Sequence, residues 1–188
     1  MQAPTTGVPH RKLAMWTFIG SECMLFGSLI ATFLVYRGRS VVGPYPEELL
    51  NVPFITVTTF VLLMSSLMMV LALSAVQRDD DRMAKVWLFM TALFGSIFLG
   101  GQYFEFSHFV HEGLPLDRNL FSSTFFVLTG THGAHVAGGV IWLGTLFGMQ
   151  WAGRLGKKGA ETVEIAGLYW HFVDVVWIIL FTVIYLLE

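Results

Sequence analysis

The sequence is short of charge and nearly free of cysteine. Only 13% of its 188 residues are charged, whereas soluble globular domains carry about 25%, so an ordinary soluble domain is excluded. The net charge of -2 gives no support for a nucleic-acid partner. The single cysteine, Cys23, lies inside an apolar run, which excludes a disulfide framework and a cysteine metal motif. Internal repeats are also missing, which argues against a transporter.

Apolar residues, at 55% of the chain, occur in five runs of membrane-spanning length. The sequence therefore predicts an all-α integral membrane protein, a single domain over residues 1–188 formed by a bundle of five transmembrane helices. The short connections predict that sequential helices pack as antiparallel neighbours. The predicted spans are residues 13–36, 53–76, 84–107, 121–151 and 163–187.

Lysine and arginine residues favour one side of the predicted bundle. Eight lie at the N-terminus and in the second and fourth connections: Arg11, Lys12, Arg78, Arg82, Lys85, Arg154, Lys157 and Lys158. The other side has Arg37, Arg39 and Arg118. Because basic residues concentrate on the cytoplasmic side, we expect the N-terminus inside and the C-terminus outside.

The fifth run carries two ionisable residues near its middle, His171 and Asp174. An ionisable residue at a helix centre costs roughly 2.5–3.5 kcal/mol on insertion scales, so it normally faces other helices. Residues three apart share a helix face, and we therefore expect His171 and Asp174 to hydrogen-bond each other.

Other polar residues fall at a similar depth. Glu22 lies near the middle of the first run, His132 and His135 lie in the fourth, and Tyr169 precedes His171. One interpretation is a polar layer in which these side chains satisfy one another, with Glu22 as a carboxyl related to proton movement. The alternative is a metal or haem site built on the histidines; spacing alone leaves both open.

A secondary polar cluster is predicted from Gln102, Glu105 and Glu164. Glu105 and His108 also form a Glu-x-x-His pair of the kind used in di-iron bundles, but their position near a membrane edge favours an interfacial hydrogen-bond cluster. In the fourth run, small residues repeat every four positions and predict close helix packing. They are Gly130, Ala134 and Gly138, followed by Gly144 and Gly148.

Four motifs along the chain resemble those of the third subunit of haem-copper respiratory oxidases, in the same order. They are SECMLFG at residues 21–27, GQYFEF at 101–106, THGAHVAGG at 131–139 and YWHFVDVVWIILFTVIYL at 169–186.

The resemblance implies a subunit without catalytic residues and without a metal or cofactor of its own. Haem and copper are then expected in partner subunits I and II, and phospholipid is a candidate ligand. A subunit IV or a larger respiratory supercomplex are further candidate partners. Glu22 matches the family's intramembrane carboxylate, and His132, His135, Glu164, His171 and Asp174 match its polar interior. The longest relatives have two additional helices at the start, which have no counterpart here.

The expected function is that of subunit III of a cytochrome c oxidase-type terminal oxidase in a bacterial cytoplasmic membrane. Such a subunit supports O2 reduction and proton translocation by stabilising subunit I, binding lipid and assisting proton uptake. The alternatives are the third subunit of a quinol oxidase or a nitric oxide reductase accessory protein. From another class, the alternative is a stand-alone membrane enzyme with a histidine-ligated metal or haem.

Overall fold

The computed structural model describes residues 9–37, 39, 51–114, 116, 119–156 and 159–187 of the chain. All regular structure in these ranges is helical. The basic residues Arg118, Lys157 and Lys158, which entered the orientation argument, lie outside the described residues. The helices are α1 (His10–Tyr36), α2 (Val52–Gln77), α3 (Asp81–His111), α4 (Leu120–Trp151) and α5 (Ala160–Phe181), and a π-helical turn (Thr182–Leu186) continues α5.

The start of three helices follows from a side chain at the N-cap. Asn51, Asp80 and Asn119 each accept a hydrogen bond from a backbone N–H three residues further on. Such caps satisfy amides that have no partner within the helix. The turn between α2 and α3 is tight and places Asp79 in the left-handed region, with φ 63°.

Four described helices are long and apolar enough to cross a membrane: α1, α2, α3, and α5 together with its π-helical turn. The helix α4 is not among them, although it has 32 residues and no Asp, Glu, Lys or Arg. Its glycine, hydroxyl and histidine residues lower its hydropathy. Many of these residues face neighbouring helices, so α4 needs less apolar surface than a helix surrounded by lipid.

The helices α2, α3, α4 and α5 form a ring in which each packs against the next and α5 closes on α2. The helix α1 lies outside this ring and packs against α4 and α5. The prediction that sequential helices are neighbours is therefore wrong for α1 and α2. Residues 40–50, in the connection between α1 and α2, lie outside the described residues.

The packing of α1 depends on one narrow seam. Ile19, Phe26 and Phe33 are its buried residues, and their spacing of seven places them on one face of the helix. Phe26 contacts the rings of His135 and Phe172 at centroid distances of 5.1 and 6.3 Å. Most of the remaining surface of α1 is exposed.

The small-residue stripe of α4 does not form the close packing that the sequence predicted. Ala134, Gly138, Gly144 and Gly148 are exposed, and a Cβ added at Gly144 or Gly148 would meet nothing within 4 Å. Their spacing indicates a common face, but it does not indicate which way that face points.

The close approaches occur instead at glycines outside that stripe. A Cβ at Gly139 of α4 or at Gly95 of α3 would come within 2.6 Å of the Trp170 ring. A Cβ at Gly133 would come within 2.5 Å of the Gln102 side chain. Glycine is required at these positions because the neighbouring side chain occupies the space of the missing Cβ.

Candidate functional site: the polar interior of the bundle

Glu22 and His135 join α1 to α4 through a hydrogen bond of 3.2 Å between Oε2 and Nε2. The ring also contacts the Thr131 carbonyl oxygen through Nδ1, at 2.8 Å. A carbonyl only accepts, so Nδ1 carries a proton. The remaining hydrogen bond then has one proton between Nε2 and Oε2: either neutral Glu22 donates to a neutral imidazole, or an imidazolium donates to the carboxylate.

Tyr169 completes this cluster from α5. Its hydroxyl donates to the carbonyl oxygen of His135 at 2.9 Å, and its ring contacts Trp142 at 5.8 Å between centroids. The Glu22 and His135 side chains retain 13% and 19% of their accessible surface. The cluster therefore lies at the junction of three helices and is not sealed from its surroundings.

His132 lies three residues before His135 but belongs to a different environment. It is fully buried, its Nε2–H donates to the Val173 carbonyl at 3.2 Å, and its ring stacks on Trp177 at 4.8 Å. Its Nδ1 has no hydrogen-bond partner. His132 thus joins α4 to α5 in the interior of the ring.

The histidine constellation considered from the sequence is not assembled. His132 and His135 have different partners, and His171, which is partly exposed, shares neither of them. Across the described ranges, no group of three or more His, Cys, Asp and Glu side chains is arranged to hold a metal.

Asp174 bonds to a neighbouring helix, which corrects the predicted pair with His171. Its Oδ2 accepts from the Ser66 hydroxyl of α2 at 2.6 Å, while its Oδ1 is buried without a partner. Spacing along α5 placed the two residues on one face, but it did not reveal that α2 presents a hydroxyl opposite Asp174.

Two tryptophans flank Asp174 and extend this contact into a seam. The indole N–H of Trp170 donates to Ser65 and that of Trp177 donates to Thr59, each at 2.9 Å. Sequence reasoning missed the indoles as donors to the hydroxyls of α2. The signal was present, since Trp170 and Trp177 are seven residues apart and therefore share a helix face.

The predicted secondary cluster is divided between the two ends of the bundle. Gln102 donates to the Thr129 carbonyl at 2.7 Å, and Glu105 accepts from the Tyr185 hydroxyl at 2.8 Å. Glu164 pairs with Lys12 at 2.6 Å. Tyr185 and Glu164 are 21 positions apart on α5 and its π-helical turn, about 30 Å at the rise of a helix, so Glu164 is not part of the cluster. His108 is exposed and makes no pair with Glu105.

A cavity of about 390 Å³ lies between α1, α4 and α5, at the end of the bundle where Lys12 pairs with Glu164. Apart from Thr162, its surface is formed by apolar side chains and by Arg11. The lining residues are Arg11, Ala14, Met15, Phe18, Trp142, Thr162 and Ile165.

Comparison with known proteins extends over nearly the whole chain. The model of the family described as Cytochrome c oxidase subunit III matches residues 5–188. The chain is 41% identical over 178 residues to cytochrome c oxidase subunit 3 of Bacillus sp. (strain PS3), covering 95% of this chain and 86% of the relative. It is 42% identical over 176 residues to quinol oxidase subunit 3 of Bacillus subtilis (strain 168), covering 93% and 86%.

The family match includes every residue of the polar interior, from Glu22 on α1 to Asp174 on α5. The comparisons confirm the resemblance found in the sequence, and they agree with the apolar helices in indicating a membrane protein. The chain belongs to the cytochrome c oxidase subunit III family of the haem-copper oxidases.

Proposed function

We propose that this chain is the third, non-catalytic subunit of a terminal oxidase in the bacterial cytoplasmic membrane. It assembles with subunits I and II, which carry the haem and copper, and transfers no electrons itself. The family match along residues 5–188 is the observation that carries this proposal. The separate partners of His132 and His135 also support it, because these two imidazoles do not converge on one site.

Purification through an affinity tag on this chain tests the proposal. After mild detergent extraction, we expect subunits I and II to co-purify and the complex to show haem absorbance. The chain separated from them should show no Soret band and no stoichiometric transition metal. Haem or metal retained by the isolated chain would instead support a self-contained redox enzyme.

We infer that the Glu22–His135 pair is the chain's contribution to proton uptake. Each of its two arrangements keeps one proton between Nε2 and Oε2, and the proton moves between them over one hydrogen bond. The partial exposure of both side chains leaves the pair open to a partner subunit, which has to supply and remove the proton because acyl chains cannot. By contrast, Glu105 is bound to a tyrosine hydroxyl and is almost fully buried, which suits a structural hydrogen bond.

The cavity between α1, α4 and α5 supports the proposal that the subunit binds phospholipid. Its apolar walls suit an acyl chain, and Arg11 at the lining suits an anionic headgroup. Replacement of Arg11 by Gln should lower the anionic lipid that co-purifies with the complex, measured by mass spectrometry. Arg82→Gln, a matched change outside the cavity, should leave the lipid content unchanged.

We propose that all five helices cross the membrane, with the N-terminus inside. The distribution of basic residues supports this orientation. The helix α4 packs against α3, α5 and α1, which supports its crossing despite its lower hydropathy. Alkaline phosphatase fused to the C-terminus should be active and green fluorescent protein fused there should be dark. The opposite pattern would reverse the orientation.

A quinol oxidase is the second candidate, and it is favoured by the 42% identity to the Bacillus subtilis quinol oxidase subunit 3. The two candidates differ in the electron donor of the complex. Oxygen consumption by the purified complex with reduced cytochrome c, compared with quinol, separates them.

A further inference from the structure

A small cavity lies where the turn between α2 and α3 meets the end of α4. Its volume is about 20 Å³, and a cavity needs roughly 10–15 Å³ to hold one water-sized occupant. It shares no lining residue with the apolar cavity beneath α1, and the proposed function makes no use of it. The lining residues are Val76, Asp79, Asp80, Asp81, Gln150 and Gly156.

Gln150 points to an occupant. The residue is only 2% exposed, and its Nε2 donates to Asp81 Oδ1 at 2.7 Å. This hydrogen bond fixes the orientation of the amide, because the reverse orientation would place two acceptor oxygens together. The other amide atom, Oε1, is buried without a partner. Leaving such an acceptor unsatisfied costs about 1–3 kcal/mol.

The acidic residues around the cavity differ in how far their oxygens are already used. Asp81 is bound by Gln150 and by Lys85, and Asp80 Oδ1 accepts from the Met83 amide at 3.0 Å. Asp80 Oδ2 and the Asp79 carboxylate have no partner within the described ranges. The cavity therefore offers an amide oxygen and carboxylate oxygens, which are the ligands that hard cations prefer.

Nearby basic residues set the charge of the site. Arg78 and Arg82 flank the three aspartates in the sequence and are exposed, while the charge of Lys85 is matched by Asp81. Asp79 and Asp80 thus remain to balance a bound cation. The described residues contain no convergent group of three or more acidic, His or Cys side chains, so a dehydrated cage of side chains is not formed.

We propose that this cavity is a binding site for a hydrated divalent cation, Mg²⁺ in particular, held by Gln150 Oε1 and by the carboxylates of Asp79 and Asp80. Mg²⁺ keeps several of its waters and is usually bound through one or two carboxylates, which fits the few ligands. The cavity has room for the ion alone, and its waters lie on the outer side, where Asp79 and Asp80 are exposed. A cation here ties the α2–α3 turn to the end of α4.

Manganese binding to the full-length chain in detergent micelles provides the test. The electron paramagnetic resonance signal of free Mn²⁺ should fall as one Mn²⁺ binds per chain, and excess Mg²⁺ should restore it while Na⁺ at equal ionic strength should not. The affinity should fall at least tenfold in Asp79→Asn and in Asp80→Asn. Asn tolerates the left-handed backbone at position 79 and is as good an N-cap as Asp at position 80, so both variants should fold.

Gln150→Met removes the amide oxygen while nearly keeping the side-chain volume, and it should also weaken binding at least tenfold. Glu161→Gln removes a carboxylate that does not line the cavity and should leave the affinity unchanged. If Gln150→Met fails to fold, the two Asn variants decide. The proposal is overturned if wild-type protein binds no Mn²⁺ at millimolar concentration, or if the Asn variants bind it as tightly as wild type. Either result would indicate that the cavity beside Gln150 holds water or an amine of the chain and not a divalent cation.

Discussion

Two carboxyl groups in this bundle show how a partner determines what a side chain can do. Glu105 accepts from Tyr185, whose hydroxyl keeps its proton under ordinary conditions, so this hydrogen bond fixes the π-helical turn. Glu22 faces Nε2 of His135, a ring nitrogen that can either donate or accept in this bond. We therefore propose that Glu22, and not Glu105, is the carboxyl that exchanges a proton.

Replacement of Glu22 by Gln should leave assembly intact and reduce the number of turnovers before the oxidase inactivates. Gln preserves a hydrogen bond to His135 but cannot exchange a proton. His135→Gln should have the same effect, because the shared proton needs both partners. The measurement is the decay of oxygen consumption under continuous turnover. An unchanged turnover life in both variants would make the pair purely structural.

The indole of Trp170 stabilises the bundle both by its packing and by a hydrogen bond. The contribution of the hydrogen bond can be measured separately. Ser65→Ala leaves the indole in place between Gly95 and Gly139 but strands its N–H as a donor without its acceptor. We expect a loss of about 1 kcal/mol, seen as a lower thermal midpoint of the chain in detergent. Ser96 is exposed and its hydroxyl bonds only to the Ala92 carbonyl of its own helix, so Ser96→Ala serves as the control and should leave the midpoint unchanged.

At the scale of single elements, α4 has two unlike surfaces with glycine on both. One contacts α3 and α5 through Gly133 and Gly139, and the other presents Ala134, Gly138 and Gly144 to the outside. A sequence pattern reports only that small residues recur on one side of a helix. The neighbour that needs the space is determined by large side chains elsewhere, here Trp170 and Gln102.

Gly139→Leu and Gly144→Leu form a matched pair on this helix. The first places a side chain where the Trp170 ring already lies and should prevent the ring of helices from closing, since overpacking costs roughly 1–3 kcal/mol or more. The second enters open space and should be tolerated by the isolated chain. Monodispersity of each variant on size-exclusion chromatography in detergent distinguishes them. Equal behaviour of the two variants would contradict the packing at Gly139.

The α2–α5 seam can be tested by a double-mutant cycle on Ser66 and Asp174. Ser66→Ala and Asp174→Asn each weaken the 2.6 Å hydrogen bond, and hydrogen bonds to ionised groups contribute about 1.5–3 kcal/mol while neutral ones contribute about 1 kcal/mol. The effects on the thermal midpoint should be less than additive if the two groups bind each other. Strict additivity would show that Asp174 has another partner.

At the scale of the whole molecule, the sequence predicts the number of helices and their limits better than their neighbours. Each predicted stretch overlaps one of the helices, because a long apolar run leaves the backbone no other way to satisfy its polar groups in lipid. Depth along the helices also placed Glu22, His135 and Tyr169 together. The partner of Asp174 was missed because spacing along α5 contains no information about α2. The position of α1 was missed because its apolar seam fits any groove of suitable shape.

Because α1 lies outside the closed ring of helices, we expect α1 to unfold locally more readily than α2 and α3. Phe26→Ala removes the central contact of the α1 seam, and we expect faster hydrogen exchange along α1 with little change in α2 and α3. Phe60, which is 59% exposed, provides the control as Phe60→Ala. Uniform acceleration of exchange in all helices would instead indicate that α1 and the ring unfold as one unit.

The placement of α1 beside α4 and α5 also affects how the protein is made. A ribosome delivers the polypeptide from its amino end, so Glu22 enters the translocon before His135 has been translated. The nascent chain therefore carries Glu22 without its partner until α4 has been translated. A chain that terminates before α4 is complete leaves this carboxyl unpaired, which makes truncation there more damaging than the number of lost residues suggests.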